Sequence, residues 1–523
     1  MSKYNKEPLD FVIAAMTEDN SLSITAAAKL MCEEFNFEYK DSIRISISKL
    51  LKRRRDESPE AELEATETFQ KAQQKVAEEK QTFLFSWAQN ATPIHKNFMK
   101  NLKAYAKDLD AGLHIIAGRY SNPTSVFADK DQDWWSPQVV PYLDAARHNI
   151  HPLLQVLSDI KIPPTAATPL TGLNSVTGLE SCIVGHPRQQ VKSLPILDGY
   201  PSKLLLSTGA VTVPNYTDSK SGKKGEFHHS IGFTIVELDG DIFHIRQVSA
   251  DDKGNFYDLF KRVKNGVVGD NEDGAEVAVL GDIHIAHNDE RATDVSFKLL
   301  DEMKPKHTML HDIIDCESIS HHEENDPFRV MQKEENGTGD LKKELSIMLD
   351  WVKDRLKYNL VVVRSNHDDF LDRWLKSVDW RKARNKRMFL YGAQILANQP
   401  IAQKKGVISF LIEDAFGDQV KTLGLDDSYR VLDWELGVHG HVGANGSRGS
   451  ANQYKQMNTK MITGHTHSPS RTDGHMCVGT LSGLRVGYNK GASSWMHANA
   501  LIYKDGKAQL IYIVKGKYCR DMK

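Results

Sequence analysis

The chain has 523 residues, with 67 basic and 69 acidic side chains and a formal net charge of −2. That length leaves room for two or three domains. The near-neutral balance excludes a global basic field, so any nucleic-acid binding must rest on local patches. Five scattered cysteines (Cys32, Cys182, Cys316, Cys477 and Cys519) show no paired spacing, which excludes a disulfide framework and predicts a reducing compartment. Residues 1–10 are polar and lack the apolar core of a signal peptide. No run approaches the ~20 apolar residues of a membrane span. The sequence therefore predicts a cytosolic protein with no membrane partner.

Residues 1–55 read as a small helical unit. Ser23-Ile24-Thr25 precedes Ala26-Ala27-Ala28-Lys29-Leu30, a capped helix start, and residues 36–40 break that helix. Asp41-Ser42 caps a second helix with Ile43, Ile47, Leu50 and Leu51 on one face and Lys52-Arg53-Arg54-Arg55 at its end. The pair is similar to a helix-turn-helix, whose second helix enters a major groove. A docking or oligomerisation unit, its basic helix end suited to the helix dipole, explains the pattern equally well. Residues 56–80, rich in Glu, Ala, Gln and Lys, read as a charged helical linker too short for a sustained coiled coil.

Residues 81–270 predict an α/β accessory domain. A strand at 83–85 leads into Gln89-Asn90-Ala91-Thr92-Pro93, an amphipathic helix over 96–109, and a strand at 113–116 ending in Arg119-Tyr120-Ser121-Asn122-Pro123. This is the β-loop-α-β unit of a parallel sheet. A further strand covers 203–206, and 233–236 pairs with 242–245 as a hairpin across Asp239-Gly240-Asp241. Gln89, Asn90, Thr92 and Arg119 fall at strand ends, where α/β sheets place ligands. They are expected to face one crevice that holds DNA backbone or a nucleotide, or that forms a subunit contact. Lys223 or His228, from a loop over 215–229 made flexible by Gly222 and Gly225, would complete it. The alternative is that these polar groups only satisfy turn backbones.

From residue 271 onward the pattern changes. Five motifs follow one another: Gly281-Asp282-Ile283-His284, His311-Asp312-Ile313-Ile314-Asp315, Ser365-Asn366-His367-Asp368, Val438-His439-Gly440 and Gly464-His465-Thr466-His467. Each follows a short apolar run that reads as a buried strand, at 277–280, 307–310, 360–363, 434–438 and 461–462. Five strand ends that each deliver His, Asp or Asn are the footprint of a metal site built between strands. Oxygen and imidazole donors without thiolate suit manganese, iron, zinc or magnesium.

The order and residue types resemble the calcineurin-like metallophosphoesterase superfamily, in its double-strand-break repair exonuclease branch, over residues 275–515. The resemblance implies an α/β fold for 271–523, a two-layer β-sandwich flanked by helices. It implies that Asp282, His284 and His467 hold one divalent metal and that Asn366, His439 and His465 hold a second. Asp312 would bridge the two metals, and manganese is the first choice of ion. Two such metals about 3.5–4 Å apart clamp a phosphoryl group and lower the pKa of a bound water. His367 would stand over the substrate to stabilise the transition state or protonate the leaving oxygen. Asp368 would orient its imidazole, with Asp315 able to serve similarly. His311 and Ser365 stand where the second and third motifs usually have Gly; neither replaces a ligand, and both reshape the pocket wall.

Around these motifs, His321 and His322 either touch substrate or metal or are surface histidines. Arg381, Lys382, Arg384, Lys386 and Arg387 follow the third motif and are expected to reach an extended polyanion. The whole layout is similar to the early host-DNA-degradation proteins of large tailed phages. That likeness implies a metal-dependent phosphodiesterase acting on DNA in the host cytoplasm, compatible with a homo-oligomer. Two other classes remain open. One is a phosphomonoesterase or nucleotidase acting on small molecules. The other is a DNA-binding or scaffolding protein with a vestigial site.

Overall fold

The computed structural model describes residues 24–40, 80–118, 135–320, 326–381, 383–487 and 489–522, together with 8, 11–12, 15, 42–44, 47 and 72. The chain divides into two compact units, residues 1–72 with 130–134, and the remainder. In the first, the helix Ile24–Glu34 buries Ala27, Ala28, Met31 and Cys32 against Val12, Ile43 and Ile47. The spacing of those four residues makes one apolar stripe. Asn36, at φ 56°, follows the end of the helix at the expected break. The basic run 52–55 lies outside the described residues.

The larger unit is a mixed α/β body of several sheets and helices. Its first strand pair, Thr82–Gln89 and Gly112–Gly118, is parallel and joined through the helix Lys96–Asp108. His95 Nδ1 accepts the Phe98 N–H to cap that helix. Phe98, Met99, Leu102, Tyr105 and Ala106 form its buried stripe. Gly232–Asp239 and Ile242–Ser249 form the expected hairpin, turned at Gly240 with φ 65°. These strands make a five-stranded sheet in the order Ile242–Ser249, Gly232–Asp239, Thr82–Gln89, Gly112–Gly118, Leu143–Asp144.

Two larger sheets carry the motif strands. A six-stranded sheet runs Lys421–Leu423, Leu360–Val363, His307–His311, Val277–Val279, Ala498–Ile502, Ala508–Tyr512. Its first four strands are parallel to one another. In these strands alternate side chains enter different cores. Ala278, Leu280, Leu310, Leu360 and Val362 pack with the helices Glu290–Met303, Leu341–Lys353, Asp368–Ser377 and Val407–Phe416. Val277, Val279, Met309, Val361 and Val363 pack with Ile183, Leu206, Ile462 and Met476 of the ten-stranded sheet. Burial on both faces explains why these strands read as unbroken apolar runs.

Strands from both sides of residue 270 share the ten-stranded sheet. Val191–Leu194 pairs antiparallel with Ser470–Thr472, joining the strands Arg147–His151, Leu154–Leu157, Ser181–Val184 and Lys203–Ser207 to Trp434–Glu435, Lys460–Thr463 and His475–Cys477. All five cysteines are free and buried. No helix among the described residues is long and apolar enough to cross a membrane.

Two expectations for 81–270 need correction. Residues 220–227 are not a flexible loop but the helix Lys220–Phe227, capped by Ser219 Oγ, which accepts the Gly222 N–H at 3.1 Å. Its glycines serve close packing: a Cβ on Gly222 would lie 2.1 Å from the Thr217 carbonyl oxygen, and one on Gly225 would lie 2.7 Å from the Tyr216 ring. Lys223 is exposed and ion-paired with Asp218 and Glu226 at 2.9 and 3.0 Å. The polar strand-end groups do not open a crevice either. Gln89, Asn90 and Thr92 are buried, and Asn215 Nδ2 donates to Thr92 Oγ1 at 2.7 Å. The cavity beside Gln89, Thr212, Asn215, Tyr216 and His229 is about 10 Å³, room for one water at most. Arg119 lies outside the described residues.

A buried ionic hub ties together the five-stranded sheet, the six-stranded sheet and a three-stranded sheet of Phe256–Asp258, Lys261–Lys264 and Val267–Asp270. Arg246 donates twice to Asp258, at 2.6 and 2.9 Å, and to Glu237 at 3.0 Å. Asp258 also accepts from Tyr105 Oη at 2.7 Å and from Gln509 Nε2, in the six-stranded sheet, at 2.9 Å. Asp258→Ala would leave the buried guanidinium without its main partner. The expected loss of stability is about 3–5 kcal/mol, read from the midpoint of chemical unfolding. A loss below about 1 kcal/mol would show that the hub is dispensable.

Candidate metal centre

The site forms where the two large sheets present neighbouring strand ends. Val277–Val279, His307–His311 and Leu360–Val363 lie side by side and point the same way, so Asp282, Asp312 and Asn366 follow at adjacent ends. In the other sheet Trp434–Glu435 and Lys460–Thr463 are likewise parallel, and His439 and His465 follow them. Bonds donated by backbone N–H groups tie these ends together, both across the two sets and within the second. Asp282 N–H donates to the Gly479 carbonyl at 3.1 Å, Gly464 N–H to the His439 carbonyl at 2.7 Å, and His465 N–H to Asp282 Oδ2 at 2.6 Å. Gly464 permits this approach, because a Cβ there would lie 2.1 Å from Asp282 Oδ1.

The side chains converge closely. Nε2 of His467 lies 3.0 Å from Asp282 Oδ2 and 3.1 Å from His284 Nε2. His284 Nε2 lies 3.4 Å from Asp312 Oδ2, and His439 Nε2 lies 3.6 Å from the same oxygen. Asn366 Oδ1 is 3.1 Å from His439 Nε2 and 2.9 Å from His465 Nδ1. Asp282, His284, Asp312 and His467 form a buried group that could hold a metal ion; so do Asp282, His311 and His439, and the group His284, Asp315 and His367. The donor set fits a cation on physical grounds. Asp282 Oδ1 and Asp312 Oδ1 are buried without a hydrogen-bond partner among the described residues. A positive ion would satisfy those buried charges. Cys477 is not among the converging donors: its thiol, whose pKa burial raises to about 11, faces Thr466 Oγ1 and the Gly464 carbonyl, each at 3.0 Å.

The local chemistry reflects the concentrated charge. Burial disfavours a charged ring on His284, yet Asp312 and Asp315 raise its pKa to about 9. Burial likewise opposes ionisation of Asp312, but His367, His284 and His439 hold its carboxyl well below the usual range. The backbone is also forced. His284, Asp312, His465 and His467 take φ of 49°, 49°, 74° and 56°. Such conformations cost on the order of 1–3 kcal/mol each and cluster at functional sites.

Neighbouring groups take parts that differ from those expected. Asp368 does not orient His367. Its Oδ2 accepts the Ser365 N–H at 2.9 Å, and burial raises its pKa to about 7. Adjacency in sequence does not help here, because the helix Asp368–Ser377 starts at this residue and turns the carboxylate back onto its own first turn. The carboxylate of Asp315 also belongs elsewhere, 2.9 Å from His284 Nδ1. It is the Asp315 carbonyl, 2.9 Å from His367 Nδ1, that holds His367, whose Nε2 lies 4.0 Å from Asp312 Oδ2. Arg381 and Arg384 pair with Asp379 and Glu334, at 2.9 and 2.7 Å, rather than with the cluster, and Arg387 is exposed. His321, His322 and Lys382 lie outside the described residues.

Several groups in the site escaped the sequence. Trp495 stands edge-on to His467, with ring centroids 4.1 Å apart. His441 Nε2 lies 3.4 Å from Asp369, which pairs with Arg364 beside the third motif. The His-x-His spacing from His439 was the one available signal for His441. Glu344 accepts the Glu317 and Ser318 N–H groups and the Ser318 hydroxyl, at 2.8, 3.2 and 2.6 Å, and so anchors the turn after the second motif. Nothing in its helical sequence context marks it.

No protein-family model matches the chain, and no solved structure matches it. Among curated proteins, Protein A1 of Escherichia phage T5 is 31% identical over 506 residues, a match that covers 88% of this chain and 86% of that protein.

Glu344 supplies a pH test of the turn it anchors. Burial raises its pKa to about 7 despite three donated hydrogen bonds. The folded state thus holds a proton that the unfolded chain releases near pH 4.3. The stability this contributes is complete below that value and is lost as pH rises through about 7. In chelator, the wild type should lose on the order of 2–3 kcal/mol relative to Glu344→Gln between pH 5 and pH 8. Parallel stability curves for the two proteins would refute the assignment.

Proposed function

The chain belongs to the family of Protein A1 of Escherichia phage T5, and from that membership and the buried cluster we propose that it is a metal-dependent phosphodiesterase that hydrolyses DNA in the host cytoplasm. One observation carries the reading: Asp282, His284, Asp312, Asn366, His439, His465 and His467 converge from five strand ends, with the backbone strained at His284, Asp312, His465 and His467. The packing of the six-stranded sheet between helices and a second sheet supports the sandwich arrangement of the metallophosphoesterases. The DNA substrate is supported by the likeness of the whole layout to phage host-DNA-degradation proteins and by the exposed basic side chains around Arg387. A scaffolding role would leave the strained and desolvated cluster without a use.

In this mechanism Asp282, His284 and His467 would hold one divalent ion and Asn366, His439 and His465 a second, with the Asp312 carboxylate within reach of both sets. Manganese is the ion proposed. Two divalent ions supply Lewis-acid chemistry, polarising a phosphoryl oxygen and acidifying water. The remaining work falls to the chain. Asp315 fixes the His284 ring through Nδ1. The Asp315 carbonyl keeps a proton on His367 Nδ1 and directs His367 Nε2 to the cluster. From there a protonated Nε2 donates to the leaving oxygen of the scissile ester.

Two experiments test this. Purified protein with Mn²⁺ should cleave at least one of linear, circular and single-stranded DNA and a small chromogenic phosphodiester. Chelator should abolish both activities, and Asp312→Asn should lower them more than any other single ligand change. Turnover of phosphomonoesters with no cleavage of any diester would favour a small-molecule phosphatase instead. His367→Ala should keep the metal content of the wild type, measured by elemental analysis, and lose about 10²–10⁴-fold in turnover on a diester with a poor leaving group. Unchanged turnover on that substrate would remove His367 from the mechanism.

A further inference from the structure

We propose that His311 is a positioning residue: its Nδ1 accepts the Nδ1 proton of His439 and so fixes the tautomer in which His439 Nε2 turns a lone pair toward Asp312 and Asn366. The inference rests on the two-metal reading above.

The geometry allows few alternatives. His311 ends the strand His307–His311 of the six-stranded sheet and is fully buried. His439 comes from the other sheet, and the two rings meet with centroids 5.4 Å apart and planes inclined by 33°. His311 Nδ1 and His439 Nδ1 are 3.3 Å apart. Two ring nitrogens at that distance share one proton, since two lone pairs or two N–H groups facing each other would repel. The other end of the His439 ring faces the cluster, with Nε2 3.1 Å from Asn366 Oδ1 and 3.6 Å from Asp312 Oδ2.

The position of that one proton decides whether His439 can serve a cation. If the proton belongs to His311, the neutral His439 ring carries its hydrogen on Nε2, pointed at Asn366 Oδ1 and closed to a metal. If it belongs to His439, Nε2 presents a lone pair to the cluster. His311 then carries its hydrogen on Nε2, a buried atom with no partner among the described residues. Asp282 Oδ1, 4.0 Å from His439 Nδ1, is too distant to accept that proton in place of His311. A third cation between Asp282, His311 and His439 would require both nitrogens of His439 to be deprotonated at once, a charge state that a neutral ring does not supply. The sheet holds His311 in place. Its Cβ lies 3.3 Å from the position a Cβ on Gly464 would take, so the ring is confined beside the Gly-His-Thr-His turn. A ligand imidazole whose far nitrogen is hydrogen-bonded keeps its tautomer and orientation, and loss of such a partner typically costs about 10–100-fold in metal affinity.

The test uses the full chain, stripped of metal and titrated with Zn²⁺, with ¹⁵N-labelled histidine to read tautomers and calorimetry to read affinity. His439 signals are assigned by their absence from H439N. In the loaded wild type, two Zn²⁺ should bind and His439 should be protonated at Nδ1. His311→Leu, which keeps the volume and removes the acceptor, should weaken the second Zn²⁺ by about 10–100-fold and leave the first unchanged. His311→Asn, which returns an acceptor near the Nδ1 position, should restore most of that loss. Second-site binding unchanged in the Leu variant, or no recovery in the Asn variant, would overturn the positioning role while leaving the two-metal reading intact. A wild type that takes fewer than two Zn²⁺ would sink both. If the Leu variant does not fold, the wild-type spectrum still decides: a proton on Nε2 of His439 in the loaded protein rules the inference out.

Discussion

Two carboxylates, Asp282 and Asp312, are buried side by side at the edge where two sheets meet, each with one oxygen unpaired among the described residues. Desolvated negative charge is costly unless it is matched. Much of the surrounding structure is organised to match it. His284, His367, His439 and His467 crowd the two carboxylates. Such an arrangement is poised for positive charge that the chain itself supplies only in part. The strain in four of the converging residues follows from the same demand, because each side chain must be turned inward immediately after its strand ends.

That convergence depends on holding two sheets in fixed register. The six-stranded sheet supplies the Asp282, Asp312 and Asn366 strand ends, and the ten-stranded sheet supplies those of His439 and His465. Their shared core, from Val277 and Val363 to Ile462 and Met476, sets the spacing between them. The ten-stranded sheet is completed by strands from before residue 270. The Arg246–Asp258 hub adds a directional tie through Gln509. The region 81–270 thereby helps to frame the site, and none of its described side chains hydrogen-bonds to the cluster.

Orientation within the cluster is handled by groups one step removed from it. Asp315 serves twice, with its carboxylate on His284 and its carbonyl on His367, so one residue sets two rings. His311 faces His439 in a comparable way. Glu344 anchors the turn that follows Asp315. The imidazoles are thus held by hydrogen bonds made from their far sides, which leaves their inward nitrogens directed to one volume.

What the sequence determined by itself was local. Apolar runs at 277–280, 307–310 and 360–363 form strands because side chains on both faces are buried. The helix over 96–109 follows from one stripe of spacing. The residues of the cluster were legible because each motif carries its own donors immediately after its strand. What only the tertiary structure decided was which donors face each other. Asp368 is adjacent to His367 in sequence but turns onto Ser365, whereas the partner of His367 is a carbonyl 52 residues away. Gly222 and Gly225 suggest flexibility in sequence, yet they are small because Thr217 and Tyr216 press against them in a capped helix. Gln89 and Thr92 lie near strand ends, but neighbouring loops fill the space a ligand would need. His311 carries no local sign of its partner, since a 3.3 Å contact between a strand of one sheet and the segment that follows a strand of the other exists only once both sheets are in place. Spacing along a chain encodes periodicity and burial, while hydrogen-bond partnership is set by distances that close across the fold.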